Sequence, residues 1–332
     1  DTPVFTDTPA PTDTEAPAPT ASLQPTDTPE PTVPPTPAPT HTSQPPASPT
    51  SQPAPQVTGR LAFSVAGLLH IVDAATGQDT VSPISGMSQP DFGADGQLII
   101  ANGEGERASL WTIYASTGAM DREQSPFTDD YHPSWSPAGD RFAYDSFHHG
   151  KGNYQVLFTQ TYTSRRPEPD QALQYSDQWI RGTSPVWMAN DWIAFTGCDY
   201  WPGGSGGSKC GIYRIPSWGG APALIHPGSL TLRATDNHGS QLLFMSQETS
   251  NWEVYLIPAQ GGAPLNLSNS PGSQDGLGTF SPDGKMVGFV SNRGGEWAVW
   301  AAQTDGTGLA KLFRLPAAPT SPWTAETMSW GP

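Results

Sequence analysis

The sequence predicts an all-β domain built from six similar units that close into a ring, preceded by an extended tail. Three observations lead to this prediction. A pattern of two short strands joined by a polar turn recurs along residues 58–332, its copies are nearly evenly spaced, and the two ends of this region complement each other. A single copy is too small to bury its own apolar faces, so the copies must pack against one another.

The clearest copy of the pattern is residues 280–306, FSPDGKMVGFVSNRGGEWAVWAAQTDG. A Ser-Pro-Asp-Gly turn precedes the first apolar run, a polar turn follows it, and a second apolar run ends at another Asp-Gly. Five other runs match the first one. They are RLAFSV from Arg60, QLIIAN from Gln97, RFAYDS from Arg141, DWIAFTG from Asp191 and QLLFMS from Gln241.

An aromatic residue and a turn introduce most of these runs. These anchor residues are Phe92, Trp135, Trp187 and Phe280, and in the fifth copy Ala234 takes the place of the aromatic residue. The anchors follow one another at intervals of 43, 52, 47 and 46 residues, which is the length of a four-stranded propeller blade. A β-sandwich has a similar number of strands but does not repeat its sequence in this way. We therefore predict a six-bladed β-propeller.

The two ends of the region predict how the ring closes. ETMSWGP at the C-terminal end contains the anchor and turn of a first strand, with Trp330 as the aromatic residue. GRLAFSV at the other end is a second strand without a first. We expect the C-terminal strand to pair with the strand that contains Leu61 and Phe63, which leaves no open edge in the ring.

Residues 1–57 differ in composition from the rest of the chain. They hold 17 of the 37 prolines, many of them beside threonine, and neither Lys nor Arg. Such a segment has too little apolar surface to offset its conformational entropy, and proline favours the polyproline II conformation. We interpret it as an extended stalk or linker, whose threonines are candidates for O-linked glycans.

Two of the repeats, FSPDGKMVGFVSNRGG and HPSWSPAGDRFAYDS, resemble the TolB-type, WD-repeat-like propeller repeat, which also occurs in prolyl-oligopeptidase-like enzymes. The resemblance covers residues 58–332 and is weaker in the fourth and fifth repeats, whose turns contain MAND and TDNHG. It implies a six-bladed ring whose first strands line a central channel. It implies no particular function, because such rings serve as docking platforms, sensors and substrate gates.

The charge of the chain argues against some classes of partner. With 15 Lys and Arg against 31 Asp and Glu, the formal net charge is −16, which disfavours binding to nucleic acid or to anionic membranes. No apolar run approaches the length of a membrane span, so we predict no membrane insertion by this segment. Proteins, including other copies of this chain, are the partners we expect.

The two cysteines, Cys198 and Cys210, flank a glycine-rich loop, DYWPGGSGGSK. We predict a disulfide that closes this loop, which indicates an oxidising, extracellular compartment; two free thiols are the alternative. The loop also matches G-x-S-x-G at Ser205. A nucleophile elbow requires a strand before the serine and a helix after it, which a Gly/Ser loop does not supply, so we predict no catalytic residue.

Acidic and polar residues precede several anchors and are the candidate binding residues. In chain order they are Asp129, Asp130, Tyr131, His132, Asp275 and Glu326. Because the first strands of a propeller begin at the channel mouth, these residues are candidates for binding Ca²⁺ or a basic peptide. The alternative is that they are solvated acids of an acidic protein. No other cofactor is predicted, and the adjacent His148 and His149 are interpreted as surface residues rather than metal ligands.

Three functions fit these features. The first is a non-enzymatic extracellular interaction or scaffold protein, in which Val4 and Phe5 near the far end of the tail dock onto another copy and build a cell-surface filament. The second is the ligand-sensing domain of a membrane-anchored receptor or kinase. The third is a lyase or hydrolase with its active site in the channel, although the sequence contains no recognisable catalytic constellation.

Overall fold

The structure is a computed structural model that describes residues 57–103, 109–125, 129–148, 153–163, 169–320 and 322–332. All of these residues belong to one compact unit, Pro53–Pro332. The predicted stalk lies outside the described residues except for Val57, and so do the predicted docking residues Val4 and Phe5. The described secondary structure is β apart from short 3-10 turns, and it includes no helix with the length and apolarity of a membrane span.

Six four-stranded antiparallel sheets form the blades, and their strands are numbered in chain order. Blade 1 consists of β1 (Arg60–Val65), β2 (Leu68–Asp73), β3 (Asp79–Ser85) and the C-terminal β26 (Met328–Gly331). Blade 2 consists of β4 (Met87–Phe92), β5 (Leu98–Gly103), β6 (Leu110–Tyr114) and β7 (Met120–Glu123). Blade 3 consists of β8 (Asp130–Trp135), β9 (Arg141–Ser146), β10 (Val156–Thr161) and β11 (Asp170–Ala172).

A short hairpin follows blade 3 and precedes the remaining blades; it consists of β12 (Gln174–Tyr175) and β13 (Gln178–Trp179). Blade 4 consists of β14 (Thr183–Met188), β15 (Trp192–Cys198), β16 (Cys210–Pro216) and β17 (Ala223–Pro227). Blade 5 consists of β18 (Arg233–His238), β19 (Gln241–Ser246), β20 (Glu253–Pro258) and β21 (Leu265–Asn266). Blade 6 consists of β22 (Asp275–Phe280), β23 (Met286–Ser291), β24 (Ala298–Gln303) and β25 (Ala310–Arg314).

The innermost strands of the six blades meet around a common axis. They contact one another in the order β26, β4, β8, β14, β18, β22 and back to β26, so the circle is complete. Apolar clusters fill the space between neighbouring blades. Each blade thus buries its faces on the blades beside it, as the repeated apolar runs require. The predicted six-bladed propeller is confirmed.

The C-terminal strand closes the ring as the sequence predicts. β26 pairs antiparallel with β1, and Trp330 lies opposite Leu61. The Trp330 side chain is only 5% exposed, and its indole N–H donates to the Thr58 carbonyl oxygen at 2.8 Å. The first blade is therefore assembled from both ends of the domain, which ties them together.

Strand register identifies the anchor of each blade. Phe280 at the end of β22 lies opposite Val287, and the anchors of the other blades have equivalent positions. In blade 5 the residue at this register is Asn237, opposite Leu242, and Ala234 lies three residues earlier. The sequence assignment of Ala234 is therefore wrong. The turn after this strand is two residues shorter in blade 5 than in blade 6, so the anchor lies closer in sequence to the second strand than the repeat suggests.

The predicted disulfide is present in the structure. Cys198 ends β15 and Cys210 begins β16, and the two residues lie directly opposite each other in the strand pair. The bond therefore closes the base of the loop between these two strands of blade 4.

Candidate functional site

A cavity of about 360 Å³ lies on the axis of the ring. Its walls come from the innermost strands of all six blades and the residues beside them, 90–94, 132–137, 184–187, 233–238, 280–282 and 326–332, together with Met245 of β19. The innermost strands all run in the same direction along the axis. The end where they begin is called the mouth here, and the turns after their anchors lie at the opposite end.

A circle of hydrogen bonds, called the anchor ring here, joins the blades around the cavity. At five of the six blade junctions, the anchor of one blade donates its backbone N–H to a side-chain oxygen of the preceding blade. The acceptor belongs to the residue just before that blade's own anchor, and the hydrogen bonds are 2.7–3.0 Å long. The donor and acceptor pairs are Trp135 and Asp91, Trp187 and Ser134, Phe280 and Asp236, Trp330 and Thr279, and Phe92 and Ser329. The junction of blades 4 and 5 differs, because Val186 occupies the acceptor position and its side chain has no oxygen.

Two carboxyl groups of the anchor ring have unusual acidity. Burial raises the pKa of Asp91 to about 7, opposed by the hydrogen bonds from Trp135 and Ser329. Burial also raises the pKa of Asp236 to about 6, opposed by the N–H of Phe280 and the hydroxyl of Thr279. Because backbone and hydroxyl donors occupy the oxygens of both groups, we assign Asp91 and Asp236 to holding the blades together.

A β-bulge interrupts the innermost strand on the mouth side of the anchor in five blades, and in four of them, blades 2, 3, 4 and 6, it contains a residue with positive φ. The residues Gln89, His132, Ser184 and Leu277 in these bulges have φ values of 50° to 54°, a region that favours glycine. A bulge re-aims its side chain, and His132 and Ser184 line the cavity. Proline follows the bulge residue in three of the four blades, so an x-Pro pair just before the anchor is the sequence signal for this layer.

His132 is held on two sides at the cavity wall. Its backbone N–H donates to Gln89 Oε1 at 2.8 Å, and its Nδ1 lies 2.9 Å from Oδ1 of the buried Asp145. Its Nε2 is buried and has no hydrogen-bond partner among the described residues. A carboxylate on Nδ1 fixes the orientation of an imidazole and leaves Nε2 for another group. His132 therefore has the geometry of a ligand-binding side chain in the channel.

Glu326 and Arg233 complete the polar wall near His132. Glu326 Oε2 accepts the backbone N–H of Gln89 at 3.0 Å, and Arg233 donates to the Ser184 hydroxyl at 3.0 Å. Burial lowers the pKa of Arg233, opposed by the nearby Asp145 carboxylate. Both side chains line the cavity together with His132. Of the six predicted binding residues, the structure thus brings His132 and Glu326 to one cavity.

The other predicted residues lie outside the residues that line this cavity. Tyr131 packs edge-to-face on Phe147, with ring centroids 6.2 Å apart. Asp275 is fully buried and forms an ion pair with Arg293 at 3.0 Å. The candidate residues therefore divide among separate environments, because neighbours along a strand point to opposite faces of the sheet.

Asp129 and Asp130 form a third environment, beside His148 in blade 3. Burial raises the pKa of Asp130 to about 7, although the hydroxyls of Ser125 and Ser146 oppose this shift. His148 is only partly exposed and stacks on Phe158 with ring centroids 4.6 Å apart, so its interpretation as a surface residue is wrong. His149 lies outside the described residues.

Three tryptophans form a cluster at the mouth that we did not predict from the sequence. Trp252 and Trp297 immediately precede the third strands of blades 5 and 6, and Trp323 lies in the segment that leads to β26. The ring centroid of Trp323 is 6.4 Å from that of Trp252 and 5.3 Å from that of Trp297. All three side chains are partly exposed. The recurrence of tryptophan before the third strand, in NWEVYL and EWAVWA, is the signal that could have found this tryptophan cluster.

A glycine permits the position of Trp323. A Cβ added to Gly276 in β22 would come within 2.8 Å of the Trp323 ring and of the Met245 side chain. The tryptophan can therefore lie directly over the start of the innermost strand of blade 6. Met245 lines the cavity, so the tryptophan cluster lies close to the channel.

The G-x-S-x-G match has a structural explanation. Ser205 lies in the loop closed by the disulfide, and its hydroxyl donates to the Asp199 carboxylate at 2.7 Å. Asp199 also accepts the backbone N–H groups of Ser205 and Lys209 at 2.7 Å and 3.1 Å. The described residues around Ser205 form turns rather than a strand followed by a helix, so this is not the geometry of a nucleophile elbow.

No family model matches the chain. An uncharacterized protein of Agrobacterium fabrum (strain C58) is 21% identical to it over 187 residues, which cover 54% of this chain and 57% of that protein. The chain thus spans just over half the length of this curated relative, whose description states no activity.

Solved structures show the same fold. TolB from Acinetobacter baumannii has a TM-score of 0.65 and 18% identity, with 82% of this chain and 67% of that chain covered. Putative TolB from Agrobacterium tumefaciens has a TM-score of 0.54 and 15% identity, with 79% and 90% covered. The tricorn protease has a TM-score of 0.53 and 12% identity, with 80% and 27% covered. The chain therefore has a TolB-type six-bladed propeller fold, and this fold occurs in enzymes as well.

Proposed function

We propose that this propeller is a non-catalytic, extracytoplasmic scaffold that binds an extended, proline-rich protein segment at the mouth of its channel. The tryptophan cluster is the observation that carries this proposal. Its three tryptophans are residues of intermediate burial at the end of the ring where Glu326 also lies, and they pack against the apolar cluster between blades 6 and 1. Aromatic side chains bordered by polar groups are typical of protein-binding surfaces, and tryptophans contribute a large share of their binding energy.

Proline-rich segments suit such a surface for a physical reason. A polyproline II segment is already extended before it binds, so it loses little conformational entropy on binding, and aromatic-lined grooves exploit this property. The Trp323 ring meets Trp252 at 71° and Trp297 at 63°, which places ring edges and faces toward different sides. These contacts hold the rings in place before the ligand arrives, which favours affinity.

The ligand we propose is the segment of residues 1–57 of another copy. This segment holds 17 of the 37 prolines of the chain, and Val4 and Phe5 supply an apolar end. Binding between copies would join each propeller to the next and build a filament, and O-linked glycans on the threonines would stiffen the connection. The disulfide of Cys198 and Cys210 supports a location outside the cytoplasm, where such bonds persist.

A peptide titration tests the proposed binding surface. A fluorescently labelled peptide of residues 1–57 is titrated with a chain that begins at Pro53, which retains every described strand. We expect saturable binding by fluorescence anisotropy, weakened at least tenfold by Trp323→Ala. Trp218→Ala is the matched control, because Trp218 is 66% exposed but follows β16, at the end opposite the mouth.

Two outcomes contradict the proposal in different ways. If the peptide does not bind, or if Trp218→Ala weakens binding as much as Trp323→Ala, the proposed ligand surface is wrong. Sedimentation of the full chain over a range of concentrations tests the assembly separately. A full chain that stays monomeric at all concentrations contradicts the filament, even if the separate peptide binds.

A further inference from the structure

Blades 3 and 6 share a local arrangement near the mouth. Asp130 in β8 lies opposite Ser146, and Asp275 in β22 lies opposite Ser291, at the same register. Two residues after each serine comes a basic side chain, His148 in blade 3 and Arg293 in blade 6. Because the two blades are copies of one repeat, their differences can be compared residue by residue.

In blade 6 an arginine supplies the positive charge beside the buried carboxylate. Arg293 donates to Asp275 Oδ2 at 3.0 Å and to the Ser268 carbonyl oxygen at 2.8 Å. Its guanidinium carbon lies 5.0 Å from the centroid of the Phe289 ring and 5.5 Å from that of Trp300. The buried charge of Asp275 is thus balanced by a cation that belongs to the chain itself.

In blade 3 the arginine is replaced by histidine and the number of carboxylates rises. His148 stacks on Phe158, which corresponds in register to Trp300, so its ring occupies the place of the guanidinium. Its Nδ1 lies 3.5 Å from Asp130 Oδ1, and its Nε2 lies 3.5 Å from Asp170 Oδ2. Asp129 adds a further carboxylate beside them.

One oxygen of the Asp130 carboxylate lacks a hydrogen-bond donor among the described residues. Its side chain is fully buried, and its Oδ1 accepts no hydrogen bond from the described residues. A buried carboxylate oxygen without a donor is costly, and natural proteins pair such groups with donors, ions or metals. In blade 6 Arg293 pairs with the other carboxylate oxygen, Oδ2 of Asp275, and Oδ1 of Asp275 likewise has no donor among the described residues. In the described part of blade 3 no arginine balances the charge, and the His148 imidazole comes only within 3.5 Å of Asp130.

We propose that a divalent transition-metal ion of the Zn²⁺ class binds between Asp129, Asp130 and His148 and takes the place that Arg293 has in blade 6. One ligand atom from each residue lies within 4.8 Å of the others, a separation that a single ion can bridge. An imidazole ligand favours Zn²⁺ over Ca²⁺, which takes oxygen ligands. Asp170, at the other ring nitrogen of His148, is placed to orient the imidazole as a carboxylate does in many zinc sites.

Calorimetric titration of the full chain with Zn²⁺ after removal of metal by EDTA tests this site. We expect one ion per chain with a Kd in the micromolar range or tighter, and a melting temperature raised by about 5 °C at a hundredfold excess over Kd. Ca²⁺ and Mg²⁺ are expected to bind at least tenfold more weakly. His148→Arg recreates the arrangement of blade 6, so it is expected to fold and to lose Zn²⁺ binding at least a hundredfold.

His226→Gln is the matched control, because His226 also lies beside a carboxylate, 3.4 Å from Glu248, but outside this group of residues. It is expected to bind Zn²⁺ as the parent does. If circular dichroism shows that His148→Arg does not fold, Asp129→Asn takes its place, with binding at least tenfold weaker. The proposal is overturned if the parent binds no Zn²⁺, if both cluster variants bind it like the parent, or if Ca²⁺ binds as tightly.

Discussion

The junction between blades 6 and 1 and the junction between blades 4 and 5 differ in the acceptor that the backbone N–H of the anchor finds. At the first, the Thr279 hydroxyl accepts the Trp330 backbone N–H at 3.0 Å and donates to Asp236 at 2.8 Å. At the second, Val186 occupies the position that Thr279 has in blade 6, and its side chain has no oxygen that could accept a hydrogen bond. The Asn237 N–H instead turns to Asp236 Oδ1 in its own blade, at 2.7 Å.

The difference shows that the anchor N–H must find an acceptor but that the acceptor need not come from the preceding blade. At the junction of blades 4 and 5 the direction is reversed, because the Asn237 side chain accepts the Ala189 N–H at 3.2 Å. At the junction of blades 6 and 1 the hydroxyl links three blades at once. We therefore expect damage to the closing junction to be far more costly.

Removal of residues 326–332 is expected to have the largest effect. It deletes β26, strips blade 1 of its innermost strand and leaves Thr279 and Asp91 without their partners from that strand. Loss of one buried tryptophan alone costs about 3–5 kcal/mol, so the loss of stability should exceed about 5 kcal/mol. Urea denaturation measures it. A truncated chain with the parent's midpoint would show that the closure of the ring does not stabilise it.

The pH dependence of stability is the second test. The folded pKa values of Asp91 and Asp236, about 7 and about 6, lie above the ordinary value of 3.8, so the folded chain binds protons more tightly than the unfolded chain. Stability should therefore fall as pH rises from 5 to 7, by about 3–4 kcal/mol for the two groups together. Asp91→Asn can still accept the Trp135 N–H through its amide oxygen, and it should flatten this slope. If the stability of Asp91→Asn depends on pH as steeply as that of the parent, Asp91 is not a source of the pH dependence.

Thr279→Val tests the closing junction without removing a strand. The side chain is fully buried, and valine has nearly the same shape, so the change removes one acceptor and one donor while packing is kept. We expect a loss of about 1–2 kcal/mol, because the Trp330 N–H is left buried without its partner. Denaturation of the variant beside the parent measures it, and a change within experimental error would show that this hydroxyl is dispensable.

Val186→Thr is the reciprocal change and should have the smallest effect. It supplies the hydroxyl that the junction of blades 4 and 5 lacks, yet the Asn237 N–H already has Asp236 as its acceptor. We expect a change within about 0.5 kcal/mol. A clear gain in stability would mean that the bond within blade 5 is a poor substitute for the bond between blades.

The sequence predicted the candidate site less well than it predicted the fold. His132 and Glu326 were grouped with Asp129, Asp130, Tyr131 and Asp275 because all of them precede anchors. The structure separates them, since residues that alternate along a strand face different surfaces and a bulge at His132 changes the alternation. The partners of His132, namely Gln89 and Asp145, come from other strands, so no residue near His132 in the sequence identifies them as its partners.

By itself the sequence determined the six blades, the closure by the strand of Trp330 and the bond between Cys198 and Cys210. These features depend on apolar periodicity, turn residues and repeat length, which are local properties of the chain. The tertiary structure alone decided that Asn237 is an anchor, that the anchor ring changes its pattern at Val186, and that His148 takes the place of an arginine. Each of these depends on which side chains of separate strands and blades meet, and that is set by strand register and loop length rather than by any neighbour in sequence.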